Sequence, residues 1–331
     1  MESDRISCLP DHIIDQILSH LPIKEAGRTS VLSHIWRNKW STLPDLMFDR
    51  QCVPAATSED PSVSKIKFLR IIDDVLLLHS GPINKVQISA GYDLIDMNSV
   101  ADIDRWILHL TKSLHRLELY WCSLKPPTTF EGFRNLKSLH LEQVAYLDGF
   151  TQINIHAPNI KCVQIIGKFE GISFDNTPQL AKYLFADVVP VKLPTPCINL
   201  TTLQISINFN NLKEISAVLC LLNSSPNLQR FGIYARLEEH ADHLSPVSYC
   251  WEDIFSEPVM PLKLQRVKIE DISGTKCELD FIRFILLYSP VLEKMTVKPV
   301  LNVTSKLMTE LIRFRRVSGQ VEVIYHVKDS S

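Results

Sequence analysis

The hexapeptide "LHRLEL", residues 114–119, sets apolar side chains at its first, fourth and sixth positions and polar ones between them. Its second half alternates, and on a strand alternation sends Leu117 and Leu119 to one face and Glu118 to the other. The pattern returns as "INKVQI" from 83, "LKSLHL" from 136, "IKCVQI" from 160, "LAKYLF" from 180, "LTTLQI" from 200, "LQRFGI" from 228, "LQRVKI" from 264 and "LEKMTV" from 292. Successive starts lie 31, 22, 24, 20, 20, 28, 36 and 28 residues apart. Several of these steps fall within the period of roughly 20–29 residues of leucine-rich repeats, and the others carry insertions.

One such copy cannot cover its own apolar face, so the copies must stack, each strand laid beside the last. The steps "APNI", "SSPNL" and "YSPVL" supply the turn that feeds a strand, because proline disfavours helix at the residue before it. Four insertions have helical apolar spacing: "KIKFLRIIDDVLLLH" (65–79), "DIDRWILHLTK" (102–112), "EISAVLCLLNS" (214–224) and "ELDFIRFILLY" (278–288). The expected fold is α/β: an irregular leucine-rich-repeat solenoid with a curved parallel sheet and helices on its convex side. A final alternating run, "QVEVIYHV" (320–327), is expected to close the sheet.

The N-terminus follows a different rule. In "LPDHIIDQILSHLPIKEAGRTSVLSHIWRNKW", residues 9–40, Pro10 suits a helix start and Pro22 a helix stop. Ile13, Ile14, Ile17, Leu18 and Leu21 line a broad apolar face between them. A second helix is expected over 23–32, and a third capped by Ser33 with Trp36 and Trp40 on one face. About 40 residues cannot bury enough surface to stand alone, and no metal or disulfide pattern supports them. The stripe therefore packs on the rest of the chain or on a second protein. Residues 51–64, "QCVPAATSEDPSVS", read as a connector.

This N-terminal stretch resembles an F-box: Leu-Pro-Asp, then Ile-Leu-Ser-x-Leu-Pro, then Ser-Val-Leu-Ser and two spaced tryptophans. The resemblance implies a three-helix module that docks on the Skp-type adaptor of a Skp/cullin/F-box ubiquitin ligase. The positions that match are Leu9, Pro10, Ile13, Ile14, Ile17, Leu18, Leu21, Pro22, Leu32 and Trp36. Gly27 and His34-Ile35 depart from the family pattern, where an apolar residue and a basic pair are usual. Residues 264–297 resemble the FBD region that follows the repeats in plant F-box/leucine-rich-repeat proteins, and "DIDRWILHL" is similar to a stretch common among them. The implied organisation is F-box 1–48, linker 49–64, leucine-rich repeats 65–263 and an FBD-like region 264–331.

Little in the chain speaks for chemistry of its own. Formal net charge is −2, from 35 basic and 37 acidic residues, which gives no basic excess for nucleic acid. The eight cysteines stand at least 23 residues apart, so they are read as reduced and mostly core. His240 and His243, near Glu238, Glu239, Asp242 and Cys250, lack the compact third and fourth ligands of a zinc site. No phosphate-binding glycine loop, nucleophile elbow or HExxH occurs, so neither cofactor nor metal nor catalytic residue is expected. The N-terminus has no basic start followed by an apolar block, and the apolar runs are too short to cross a bilayer; nucleus or cytoplasm is the expected location.

The expected role is that of a substrate-recognition subunit of a ubiquitin ligase. It would contact a target protein through exposed strand positions such as Glu118, Tyr120, Trp121, His140, Glu142, Gln164, Gln204, Tyr234, Lys268 and Glu270. Tyr120, Trp121 and Tyr234 are favoured as aromatic anchors. One alternative is a small-molecule receptor, which would need a basic cluster on the concave face, whereas Lys and Arg are scattered along the repeats in sequence. Another is a repeat scaffold that does not join a ligase.

Overall fold

The computed structural model describes residues 6, 9–53, 61–91, 93–95, 99–110, 113–124, 132–146, 153–155, 157–166, 172–174, 193, 196–236, 261–300 and 305–325. The chain divides into two compact units: Met1–Thr151 with His156–Asn159, and Gln152–Ile155 with Ile160–Ser331.

The first unit runs α1 (Asp11–Leu18), α2 (Ile23–Arg28), β1 (Asp45–Asp49), α3 (Pro61–Leu78), β2 (Lys85–Ser89), α4 (Val100–Leu110), β3 (Arg116–Tyr120), β4 (Ser123–Leu124), β5 (Ser138–Glu142) and β6 (Ala145–Tyr146). Strands β1, β2, β3 and β5 pair side by side, all parallel, and β4 pairs with β6. In the second unit come β7 (Ile153–Ile155), β8 (Cys162–Ile166), β9 (Ile172–Phe174), β10 (Thr202–Ile207), α5 (Leu212–Ser224), β11 (Arg230–Ala235), β12 (Arg266–Ile272), α6 (Lys276–Tyr288), β13 (Lys294–Pro299), α7 (Ser305–Arg313) and β14 (Glu322–Tyr325). There β8, β10, β11, β12, β13 and β14 pair in that order, again all parallel, and β7 pairs with β9.

Eight of the nine hexapeptides become strands in this arrangement; "LAKYLF" lies outside the described residues. The alternation works as expected. Leu117 and Leu119 are buried while Glu118 is not, and Phe231, Ile233, Val267, Ile269, Met295 and Val297 form the matching buried face in the second unit. Phe281 of α6 lies on that core, its ring 5.6 Å from Phe209 and 6.4 Å from Phe231.

A hydrogen-bond device repeats with the strands. The Asn84 carbonyl accepts from His115 and Arg116, Thr201 from Gln229 and Arg230, Gln229 from Gln265 and Arg266, and Gln265 from Glu293 and Lys294. Each carbonyl at a strand entrance thus uses both lone pairs on two successive N–H groups of the next copy, which sets the register of each strand against its neighbour. The asparagines of the "PN" steps add a second tie: Asn159 Nδ2 donates to the Arg134 carbonyl (3.0 Å) and Asn227 Nδ2 to the Ile198 carbonyl (2.9 Å).

Several expectations need correction. No third α-helix follows Ser33: residues 34–38 are turns, Asn38 sits in the left-handed region at φ 61°, and a 3-10 turn spans Lys39–Thr42. A left-handed residue breaks the i to i+4 ladder, so Trp36 and Trp40 do not share a helical face; Trp36 is buried and Trp40 half-buried. Ser33 Oγ caps nothing and is buried without a partner among the described residues. Pro22 opens α2 rather than ending α1, which stops at Leu18 with Ser19 as its C-cap. The segment 49–64 is only partly connector: Arg50–Cys52 make a 3-10 turn with Cys52 buried, and α3 begins at Pro61.

Candidate functional site

Helix α1 opens at Pro10, whose carbonyl accepts from Ile13 (2.9 Å) and Ile14 (3.2 Å). Pro22 opens α2 in the same way, accepting from Glu25 (2.9 Å) and Ala26 (3.0 Å). Along α1 the apolar residues fall on two adjoining edges, because Ile14 and Leu18 are one turn apart, as are Ile13 and Ile17. The chain treats the two edges differently. Ile14 and Leu18 are 0% exposed, whereas Ile17 is 40% exposed and Ile13 half-buried.

The inner edge belongs to this chain's own core, together with Ile23, Ala26 and Trp36, whose indole N–H donates to the Ile6 carbonyl at 3.3 Å. The module is tied to the residues that follow α3 and β1: the Ser80 N–H donates to the Ser41 carbonyl (2.8 Å), His79 Nε2–H to the Leu43 carbonyl (2.8 Å) and Lys24 Nζ to the Gln51 carbonyl (3.1 Å). Lys39 pairs with Asp11 at 2.9 Å. Elsewhere the module keeps large apolar groups in water: Ile17, Leu32 at 52%, Val31 at 87% and Ile6. Leu9, Leu21 and Pro22 are half-buried and Pro10 is exposed. Of the ten motif positions, then, Ile14, Leu18 and Trp36 pack inside the module, and the other seven present surface. Val31 and Ile6 were missed by sequence reasoning, and exposure of a single apolar residue has no local sequence signal.

The strand positions expected to be exposed fall into two groups, one in each unit, and the expectation needs correction: only Trp121, just past β3, and Lys268 are exposed, Glu270 is buried, and Glu118, Tyr120, His140, Glu142, Gln164, Gln204 and Tyr234 are half-buried because they pair with one another across neighbouring strands or pack beside them. In the first, Tyr120 packs on His140 with ring centroids 4.8 Å apart, and His140 Nε2 lies 3.3 Å from Glu142 Oε2. Glu118 pairs with Lys85 at 3.0 Å. Burial, then the nearby carboxylates of Glu118 and Glu142, push the Tyr120 hydroxyl up to about 12. Trp121 follows in the left-handed region at φ 52°, held by its N–H to the Glu142 carbonyl (2.9 Å), with its indole exposed. In the second unit Gln164 Nε2 donates to Gln204 Oε1 at 2.8 Å, Tyr234 is half-buried, and Lys268 pairs with the buried Glu270 at 2.6 Å.

No group of three or more His, Cys, Asp or Glu side chains able to hold a metal occurs among the described residues. His240, His243 and Cys250 lie outside those residues. Of the six described cysteines all are free; Cys52, Cys122 and Cys220 are buried, in keeping with a packing role. Among the described residues no helix is long and apolar enough to cross a membrane.

The F-box domain family matches residues 6–47, and the FBD family matches residues 262–297, which carry β12, α6 and the start of β13. An Arabidopsis thaliana F-box/FBD/LRR-repeat protein, At1g13570, is 32% identical over 97% of this chain and 98% of its own length. The F-box/LRR-repeat protein At3g26922 of the same plant is 29% identical over 71% of this chain and 68% of its own. The FBD-associated F-box protein At1g66310 is 28% identical over 70% of this chain and 46% of its own. With an F-box at one end, an FBD segment near the other and parallel repeat strands between, the chain belongs to the plant F-box/FBD/LRR-repeat family.

Proposed function

We propose that this chain is the substrate-recognition subunit of a Skp/cullin/F-box ubiquitin ligase. One observation carries the reading: α1 buries Ile14 and Leu18 in its own chain yet leaves Ile17 in water, with Leu32 and Val31 also exposed in the same small module. Burying one such side chain is worth roughly 1.5–3 kcal/mol, so this surface has a strong drive to acquire a cover. A Skp-type adaptor supplies that cover, and a cullin joins through the adaptor.

The repeats, as a leucine-rich solenoid between the F-box and the FBD region, hold a target protein. Tyr120, Trp121 and His140 in the first unit and Gln164, Tyr234 and Lys268 in the second are the contacts we assign to it. The chain itself performs no bond-making step. It raises the effective concentration of a target lysine near the charged conjugating enzyme, and proximity of that kind lowers the entropic part of the barrier. The ligase acts in the nucleus or cytoplasm.

The test is reconstitution. The full chain, co-expressed with a Skp-type adaptor, co-elutes with it and captures a cullin, and deletion of residues 1–48 abolishes both. Proximity labelling under proteasome inhibition, intact chain against the same deletion, then collects targets that accumulate only with the intact chain. A full chain that elutes without adaptor supports the scaffold alternative instead.

A further inference from the structure

Arg230, Arg266 and Lys294 each hold the third position of a repeat copy, in "LQRFGI", "LQRVKI" and "LEKMTV". They are 36 and 28 residues apart in the chain, which is why the sequence shows only scattered cations. Parallel pairing brings them together: Arg230 is the register partner of Arg266, and Arg266 of Lys294. All three are exposed, on the face opposite the buried Phe231, Val267 and Met295. Neighbouring strands are about 4.8 Å apart, so three cations are strung over roughly 10 Å.

Like charges set directly opposite each other on adjacent strands are unfavourable, and the chain does not relieve them. Lys268 stands two residues beyond Arg266 on the same face, and its partner Glu270 is shared with Lys298 (2.6 and 3.6 Å). The acids nearest the row are Glu293, which precedes Lys294, and Glu322, its register partner on β14. Neither closes an ion pair with it, and among the described residues Arg230, Arg266 and Lys294 make none. A chain of net charge −2 thus gathers three cations in register on one sheet face, with a carboxylate in register only at the β14 end.

We propose that this row docks an acidic segment of the target protein, a run of Asp and Glu laid across β11, β12 and β13. Charge complementarity names the occupant. Guanidinium groups take carboxylates in a two-pronged fork, and an extended chain advances about 3.3 Å per residue, so three or four acidic residues match the span. The inference rests on the ligase reading and gives the target its chemistry.

The test uses the full chain co-purified with a Skp-type adaptor and a fluorescein-labelled hexaglutamate peptide, followed by fluorescence anisotropy. The peptide binds, more weakly as salt rises, and Arg230→Glu/Arg266→Glu/Lys294→Glu weakens it by at least about tenfold. The neutral triple variant Arg230→Gln/Arg266→Gln/Lys294→Gln, free of mutual repulsion, keeps the fold as judged by thermal melting and weakens the peptide to a similar degree. Lys137→Glu, an exposed cation in the first unit, leaves binding unchanged. Unaltered binding in both triple variants overturns the proposal, as does a DNA duplex that binds as tightly as the peptide. Adaptor capture is scored on the same samples: a sample that holds adaptor but not peptide sinks only this inference, whereas loss of adaptor strikes the ligase reading and leaves the anisotropy result to stand by itself.

Discussion

The indole N–H of Trp106 donates to Asp73 Oδ1 at 2.7 Å, joining α4 to α3 in the first unit. Arg105 donates to both oxygens of the same carboxylate at 2.7 Å and reaches Asp102 at 2.9 Å. This gives "DIDRWILHL" its physical meaning: an aspartate one helix away receives the adjacent Arg and Trp together. Trp106 is buried, so Asp73→Ala leaves its N–H without a partner. We expect a loss of about 2 kcal/mol in denaturant unfolding, with partial recovery in Asp73→Asn. An unchanged midpoint would show the pair to be ornamental.

At the start of α6, buried Glu278 accepts from the Thr275 N–H at 2.7 Å and the Ser273 N–H at 3.2 Å, while Thr275 Oγ1 accepts from the Glu278 N–H at 3.4 Å. Gly274, between the two donors, adopts φ 83°, a conformation that a side chain would strain. Glu278→Ala should cost roughly 1–3 kcal/mol and accelerate amide exchange at Ser273 and Thr275. Exchange rates equal to those of the parent protein would contradict this.

Burial pushes the Cys122 thiol up to about 12 and the Cys220 thiol up to about 11. The thiolate is the nucleophile, so near-neutral alkylation with iodoacetamide should spare both until the chain unfolds. Mass spectrometry that finds either modified in the native protein would refute their placement.

For Tyr120 the folded state favours the neutral phenol, so between the ordinary tyrosine value of 10 and about 12 the native state holds a proton that the unfolded chain releases. Its contribution is complete below pH 10 and is lost as pH rises through that window. Tyr120→Phe should therefore flatten the alkaline limb of the stability curve; an alkaline limb of equal slope would deny the burial.

Gly27 lies inside α2, and a Cβ built on it meets nothing within 4 Å. Gly27→Ala should thus stabilise by up to about 1 kcal/mol, seen as a higher melting temperature, without weakening the adaptor. A lower melting temperature would mean that the glycine answers a constraint the fold does not display.

The repeat strands were legible because alternation and copy spacing are local, and α3 to α6 because each of those insertions carries a complete apolar face; α7, Ser305–Arg313, was not expected. Strand β1 escaped notice although Leu46 and Phe48 alternate within "DLMFD", since five residues beside a helical module carry little weight alone. The third helix failed at Asn38, where one backbone angle overrides the spacing of two tryptophans. At the F-box the stripe was readable but its partition was not, because which edge is buried depends on how the rest of the module folds back on α1, and no local spacing encodes that. The basic row was present in the sequence all along, visible only when the hexapeptides are stacked by position instead of read end to end.

If α1 keeps one edge for a second protein, as proposed, the affinity of the full chain for a purified Skp-type adaptor, read by calorimetry, must depend on that edge. Ile17→Asp with Leu32→Asp changes only exposed positions, so the melting temperature should hold while binding weakens at least about thirtyfold, equivalent to ~2 kcal/mol. Wild-type affinity in that folded double variant would mean that the exposed edge of α1 is not where the adaptor binds.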